Sequence, residues 1–115
     1  MSKNMSEVLM TLWGDGTGYW FLSLELHGKE VTLSIGPYKR SALTTELGMP
    51  YADPKHPGAV SLKEAECKGK VQVWNEFGQW YMEIMIGSNM KSFKIEDGEE
   101  KIDKLLAIGI YQKSS

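Results

Sequence analysis

The stretch of sequence that decides the fold is Trp20-Phe21-Leu22-Ser23-Leu24-Glu25-Leu26. The same pattern returns 60 residues later as Trp80-Tyr81-Met82-Glu83-Ile84-Met85-Ile86. The shift still holds between 33–35 and 93–95, and Trp13 aligns with Trp74 one residue out of phase. We therefore expect an internal repeat, which determines the architecture of a chain more closely than its chemistry.

Three strands are predicted in each copy, separated by short turns. Runs of β-branched and aromatic residues are interrupted by the glycine-rich segment 14–18 and by glycines at positions 28, 78 and 87. The predicted strands cover 8–13, 19–27 and 31–35 in the first copy and 70–75, 79–86 and 90–96 in the second. Short turns between such strands indicate an antiparallel meander in each copy.

A helix is predicted after each meander. The first covers 38–47 and stops before Gly48, and the second covers 99–108 and stops before Gly109. Glycine is the residue that most easily adopts the left-handed conformation that ends a helix. Both helices are therefore expected to end in the same way.

The segment 49–68 connects the two copies. Pro50, Pro54 and Pro57 argue against any regular element before about Gly58. The sequence from Ser61 to Glu64 fits a capping box that opens a one-turn helix, but residues 60–66 could equally form an extra strand that turns at Gly69. Both interpretations of 59–68 stay open.

These elements predict one domain over residues 1–115, with repeat one at about 8–48 and repeat two at about 70–110. The expected fold class is α+β: tandem βββα repeats form one mostly antiparallel sheet of six to eight strands, with both helices packed on one face. A chain of 115 residues is long enough to bury a core without disulfides or metals.

The composition indicates the cellular compartment and the classes of partner to expect. Cys67 is the only cysteine, so no intrachain disulfide can form, and we expect a cytoplasmic protein. No apolar run approaches the ~20 residues that cross a bilayer, so no membrane partner is expected. The formal net charge of −2 makes nucleic acid an unlikely partner and suits a basic protein.

Side-chain alternation predicts two different faces of the sheet. Trp20, Leu22 and Leu24 point towards the core, and the intervening residues point away from the helices. Aromatic residues are common anchors in protein interfaces and stacking platforms for single-stranded nucleic acid. The alternatives are that 49–68 covers this face or that two copies pair through it. The predicted partner-binding aromatics are Trp13, Tyr19, Phe21, Trp74 and Tyr81.

Five acidic residues cluster at the start of the second predicted helix. Glu99 and Glu100 are explained by the helix dipole, and Asp97 is a candidate N-cap. The functional interpretation is a negative ridge that steers a basic partner. The ridge would consist of Glu96, Asp97, Glu99, Glu100 and Asp103.

The sequence offers little support for catalysis. His27 and His56 have no Cys, Asp or Glu at metal-ligand spacing, and Cys67 has no glycine-rich turn beside it that would lower its pKa. The glycine-rich segment 14–18 lacks the Gly-Lys-Ser/Thr of a phosphate loop and fits a hairpin turn. We predict no enzyme activity, no catalytic residue, no metal and no cofactor.

Two copies of a strand meander followed by a helix resemble the Whirly-type arrangement. That arrangement occurs in single-stranded DNA-binding proteins and in some bacterial immunity proteins that neutralise nuclease toxins. Whirly units have four strands before each helix, whereas three are predicted here. The resemblance implies that a small acidic version is more similar to the immunity proteins, and it transfers no functional residue.

The leading hypothesis is a non-catalytic inhibitor that binds a basic effector, such as a toxin or nuclease, and neutralises it by occlusion. Bacterial immunity proteins and phage-type inhibitors act in this way. The first alternative is a module that binds single-stranded nucleic acid or a small ligand on the aromatic face. The second is a homo-oligomeric structural subunit, so the chain is expected to be a monomer or a homodimer.

Overall fold

The computed structural model describes residues 4–55 and 58–114. In this part of the chain, eight strands and two helices form an α+β fold. The elements are β1 (Ser6–Gly14), β2 (Trp20–Leu26), β3 (Lys29–Ile35), α1 (Pro37–Thr45), β4 (Tyr51–Ala52), β5 (Glu66–Glu76), β6 (Gln79–Ile86), β7 (Asn89–Lys94), α2 (Gly98–Ile108) and β8 (Tyr111–Gln112).

One sheet contains all eight strands. Its main path runs β3-β2-β1-β5-β6-β7, and every neighbouring pair on this path is antiparallel. The two short strands pair in parallel, β4 with the end of β1 and β8 with β5. Each half of the chain therefore has the element order β-β-β-α-β, and the central β1–β5 pair joins the halves.

The alternation of side chains in β2 accounts for its position in the sheet. Leu22 and Leu24 are 0% exposed and point into the core, as predicted, while Phe21 and Ser23 between them are half-buried. Burying each leucine contributes about 1.5–3 kcal/mol, and a slip by one residue would turn both leucines towards solvent. The alternation therefore sets both the register and the inner face.

Both helices pack on the inner face of the sheet, as predicted. Leu43 of α1 and Ile102 and Leu105 of α2 belong to one core cluster with the inward side chains of the strands. Gly48 follows α1 with φ 71°, and Gly109 caps α2 with φ 106°. α2 therefore ends at a left-handed glycine, as predicted, whereas α1 ends at Thr45, with the right-handed Glu46 as its C-cap, before the chain reaches Gly48. The prediction that both helices end in the same way is wrong for α1.

The connection between the halves is more ordered than the sequence predicts. β4 begins directly after Pro50, and Ala52 bridges to Val60. The Val60 amide also donates to the Tyr51 carbonyl at 2.9 Å. The prediction that no regular element begins before about Gly58 is wrong, because a two-residue strand needs few backbone donors and fits between the prolines.

Residues 61–65 form the capping-box turn, which is the first of the two alternatives, and the extra strand over 60–66 with a turn at Gly69 does not form. The Glu64 amide donates to Ser61 Oγ at 3.1 Å, and the Ser61 amide donates to Glu64 Oε1 at 3.3 Å, which completes a capping box. The chain then enters β5 at Glu66. Gly69 does not form a turn: it lies inside β5 opposite Val8, where a Cβ would come within 2.8 Å of the Met85 carbonyl oxygen.

Other boundaries shift by a few residues. Tyr19 was expected within the second strand, but it precedes β2 and is 66% exposed. β5 is longer than the predicted strand because it extends across Gly69 to pair with β1. α1 ends at Thr45, where the Thr44 and Thr45 hydroxyls donate to the Ser41 carbonyl. Such bonds compete with the helical backbone and favour an early end.

Candidate functional site

The outer face is the surface of the sheet that points away from both helices. It presents alternate side chains of the four central strands, most of them half-buried. Members of this face on these strands are Glu7, Leu9, Thr11, Trp13, Phe21, Ser23, Glu25, Glu66, Lys68, Lys70, Gln72, Trp74, Tyr81, Glu83 and Met85, and the flanking strands β3 and β7 add Glu30 and Lys94. The sheet itself holds these side chains at fixed spacing, which suits a preformed binding surface.

Its aromatic residues form two separate pairs. Trp13 stacks on Phe21 with ring centroids 4.6 Å apart, and Trp74 stacks on Tyr81 at 5.7 Å. Thr11 pairs with Glu66 in the β1–β5 register, and this places the two tryptophans about ten residues apart along the strands, or roughly 33 Å. The outer face therefore carries one aromatic pair at each end instead of one continuous platform.

The pair formed by Trp13 and Phe21 is held in place by side-chain hydrogen bonds of neighbouring strands. Trp13 Nε1 donates to Ser23 Oγ at 3.0 Å, and Ser23 Oγ in turn lies 2.9 Å from Thr32 Oγ1. A groove of about 440 Å³ beside Trp13 is lined by the connection, including Val60 and Leu62. The connection thus borders this end of the outer face, where Trp13 and Phe21 are half-buried.

The pair formed by Trp74 and Tyr81 has a different surrounding. Lys113 Nζ lies 5.5 Å from the centroid of the Trp74 ring, a cation–π contact. The Lys113 amide donates to the Val73 carbonyl at 2.8 Å, which holds the residue beside the sheet. The cations Lys113 and Lys94 therefore lie beside this aromatic pair, whereas the connection borders the pair at the other end of the face.

Hydrogen-bonded polar groups lie next to the second aromatic pair. Gln72 is only 9% exposed, and its Nε2 donates to Glu83 Oε1 at 2.7 Å. Ser92 Oγ donates to the other carboxylate oxygen of Glu83 at 3.4 Å. Both oxygens of Glu83 therefore act as acceptors, which suits structural support of this end of the face.

Charges on the outer face are divided between the halves of the sheet. Glu7, Glu25 and Glu30 lie on strands of the first half. The second half carries both signs, with the cations Lys68, Lys70 and Lys94 beside Glu66 and Glu83. A shallow depression of about 600 Å³ at the centre of the face is lined by residues of both halves, including Glu7, Leu9 and Lys70.

The predicted acidic ridge lies at the start of α2, on the helix side of the sheet, and all five of its acids are exposed. Asp97 occupies the N-cap position, but its φ is 51° and its side chain makes no capping hydrogen bond, so the cap interaction expected from the sequence is absent. Glu100 forms an ion pair with Lys104 at 3.4 Å. A partner lying flat on the outer face would not contact the ridge.

Cations lie close to these acids. Burial lowers the pKa of Lys39 on α1, the positive charge of Lys101 lowers it further, and the negative charge of Glu96 opposes the shift. The two helices therefore bring charges of both signs together. The start of α2 is not a purely negative surface.

Phe77 is an exposed aromatic residue that the sequence-based prediction missed. It occupies the turn between β5 and β6, at the same end of the sheet as Trp74 and Tyr81, and is 99% exposed. Its signal in the sequence is a phenylalanine directly before glycine in a two-residue turn, where asparagine or aspartate is usual. Tyr38 is also largely exposed, on the opposite side at the start of α1.

The titratable groups show no catalytic arrangement within residues 4–55 and 58–114, and no group of His, Cys, Asp and Glu there could hold a metal ion. Burial raises the pKa of the Cys67 thiol, which disfavours the reactive thiolate. Hydrogen bonds from the Thr17 hydroxyl and amide lower the pKa of Asp15 and brace the β1–β2 turn. His27 lies in an exposed turn, and His56 falls outside the described residues.

The described helices are all too short or too polar to cross a membrane. No protein-family model, no curated protein and no solved structure matches the chain. What the protein does is therefore inferred from its own surfaces.

Proposed function

We propose that this protein is a non-catalytic binding module that inhibits a basic protein partner by covering it. Immunity proteins and phage-type inhibitors work by the same principle of occlusion. The observation that carries the proposal is the half-exposed stack of Trp74 on Tyr81 at one end of the outer face. Large, rigid aromatic side chains of this kind dominate the binding energy of many protein interfaces.

The size of the outer face is suitable for such a partner. Six neighbouring strands, each about 4.8 Å from the next, give a sheet roughly 25 Å wide, and strands of about seven residues give a similar length. A standard interface buries roughly 800 Å² on each partner. Because protruding side chains add to the accessible area of a flat sheet, the outer face can bury about 800 Å² against a partner.

Overall charge supports a basic partner, although the acids of α2 lie on the helix side. With a net charge of −2, the field of the whole chain attracts a positively charged protein as it approaches. Glu96 to Asp103 would therefore act on the rate of association and not as contacts in the final complex. Steering of this kind weakens as salt is added.

The test is capture of a partner by the tagged chain from a lysate of the cells that encode it. A single basic protein is expected in near-equal amount with the unaltered chain. The double variant Trp74→Ala/Tyr81→Ala should lose it, whereas the control Tyr38→Ala, which removes an exposed aromatic from the helix side, should retain it. Capture that survives the double variant would remove the outer face from the proposal.

A homodimer is the second candidate, because the division of charge makes the outer face self-complementary. A twofold arrangement could place Glu25 and Glu30 of one copy near Lys68 and Lys70 of the other. Sedimentation at micromolar concentration separates the two candidates. A species of twice the 13.0 kDa chain mass, lost in Glu25→Lys/Glu30→Lys, would favour the homodimer. A stable monomer would favour the inhibitor.

A further inference from the structure

The turn between β5 and β6 combines two unfavourable features in one residue. Phe77 has φ 53°, in the left-handed region, and Gly78 follows with φ 79°. Phe77 is also 99% exposed, so its ring contributes almost nothing to the core. A bulky residue in the left-handed region is a clear outlier, since its Cβ crowds the backbone carbonyl.

The fold itself does not need phenylalanine at this position. Asn75 Oδ1 accepts a hydrogen bond from the Gly78 amide at 3.2 Å and so supports the turn from the strand. Asparagine or aspartate before glycine is the usual choice for a turn of this geometry. The turn between β2 and β3 is the matching turn in its φ angles, with His27 at φ 52° and Gly28 at φ 80°. Histidine tolerates that conformation better than phenylalanine does.

We propose that Phe77 is an anchor that inserts into an apolar pocket on the protein partner. This inference rests on the proposed function and adds the side chain that enters the partner. Phe77 is three residues from Trp74 along the same hairpin, or about 10 Å, so one partner can cover both. A central aromatic side chain in a dry pocket, bordered by further aromatic contacts, is the usual form of an interface hot spot.

The neighbours of Phe77 indicate what surrounds that pocket. Lys94 lies opposite Tyr81 in the β6–β7 register, and Lys113 lies over Trp74. These cations require carbonyl or carboxylate oxygens at the rim of the pocket, so the basic groups of the partner would lie elsewhere on its surface. A lipid bilayer fits less well despite the two lysines, because only Phe77 projects from the tip and the carboxylate of Glu76 precedes it, whereas insertion into a membrane surface uses several apolar residues.

Site-specific photocrosslinking tests the insertion directly. The substitution Phe77→p-benzoylphenylalanine keeps an aromatic ring at the tip, and His27→p-benzoylphenylalanine places the same group in the matching turn. Irradiation of cells that encode the protein should join position 77, and not position 27, to a single protein at a site rich in apolar residues. Crosslinks to lipid, to a second copy of the chain, or to nothing above the level of position 27 would overturn the inference.

A matched pair of turn variants adds a second readout. Phe77→Asn should raise the melting temperature by about 4 °C, because strain is removed and no packing is lost, and it should weaken partner capture at least about tenfold. His27→Asn should leave capture unchanged. A variant Phe77→Asn that is no more stable than the unaltered chain, or that captures the partner equally well, would contradict the anchor.

Failure of this inference can be distinguished from failure of the proposed function. If Trp74→Ala/Tyr81→Ala abolishes capture while Phe77→Asn does not, the outer face binds and Phe77 is not its anchor. If the unaltered chain captures no protein and no crosslink forms at position 77, both proposals are wrong.

Discussion

The two aromatic pairs of the outer face are alike in residue type and different in surroundings. Trp13 is hydrogen-bonded to Ser23 and bordered by Val60 and Leu62 of the connection, whereas Trp74 is accompanied by the cation of Lys113. The ring centroids are also closer in the first pair, 4.6 Å between Trp13 and Phe21, than in the second, 5.7 Å between Trp74 and Tyr81. Similar side chains in corresponding strands, all of them half-buried, therefore have different neighbours at the two ends of the sheet.

The difference arises from the chain that follows each short parallel strand. After β4 the chain turns back, bridges Ala52 to Val60 and forms the capping box beside Trp13. Next to β8, Lys113 lies over Trp74. The second pair, together with Phe77, is therefore the stronger candidate for contact with a partner.

The largest expected effect compares the two tryptophans by substitution. Trp13→Ala should lower the free energy of unfolding by about 2–3 kcal/mol, since it removes packing and leaves Ser23 without its indole donor. Trp74→Ala should cost about 1 kcal/mol, because its ring packs mainly on Tyr81. Urea unfolding of the two variants measures this difference. Equal losses would contradict the division of roles.

The capping box provides the next test, because it holds the connection beside Trp13. Ser61→Ala removes the acceptor for the Glu64 amide and should lower the free energy of unfolding by about 1 kcal/mol. Tryptophan fluorescence of the folded variant should shift to longer wavelength as Trp13 meets more water. Ser88→Ala, in the exposed β6–β7 turn, is the control and should change neither quantity. An unchanged spectrum for Ser61→Ala would mean that the turn does not shield Trp13.

A smaller effect is expected from the cation beside Trp74. Lys113→Ala should lower the free energy of unfolding by about 0.5 kcal/mol through loss of the cation–π contact, whereas Lys113→Arg should preserve it. The fluorescence that Trp74 contributes, obtained by subtracting the spectrum of Trp74→Phe, reports on the contact directly. If alanine and arginine give the same signal, Lys113 does not contact the ring in solution.

The smallest effect concerns the helix side, where the two halves meet through charges of both signs. Burial, aided by Lys101, lowers the pKa of Lys39 below its ordinary value of 10.5, so folding disfavours its charged form. Stability should therefore rise as the pH increases from the folded-state pKa to about 10.5. Lys39→Met should be slightly more stable than the unaltered chain near neutral pH, and thermal unfolding should show this advantage disappearing above pH 10.5. If Lys39→Met stays more stable above pH 10.5, its higher stability comes from packing and not from removal of the charge.

Sequence periodicity predicts the faces of the sheet well. Leu22 and Leu24 are buried, Phe21 and Ser23 point outward, and α2 ends at the left-handed Gly109. Each of these features depends on neighbours within a few residues. Local patterns therefore carry most of the information about the strands and helices.

Features that depend on contacts between residues far apart in the sequence cannot be predicted from local patterns. β4 and β8 have two residues each, too few to show any periodicity. The separation of Trp13 from Trp74 follows from the register between β1 and β5, which the sequence does not reveal. The missing side-chain cap at Asp97 depends on its left-handed backbone, and the exposure of Phe77 depends on what surrounds the turn.

The central β1–β5 pair also shapes how the chain reaches this structure. Ser6 pairs with Val71 across more than 50 intervening residues, whereas the other antiparallel pairs join strands that follow one another in sequence. The hairpins can close quickly, and the central pair must wait for a long loop to close. Until then each half exposes an open strand edge, and at high concentration the β1 edge of one chain can join the β5 edge of another, which makes domain exchange the expected route of misassembly.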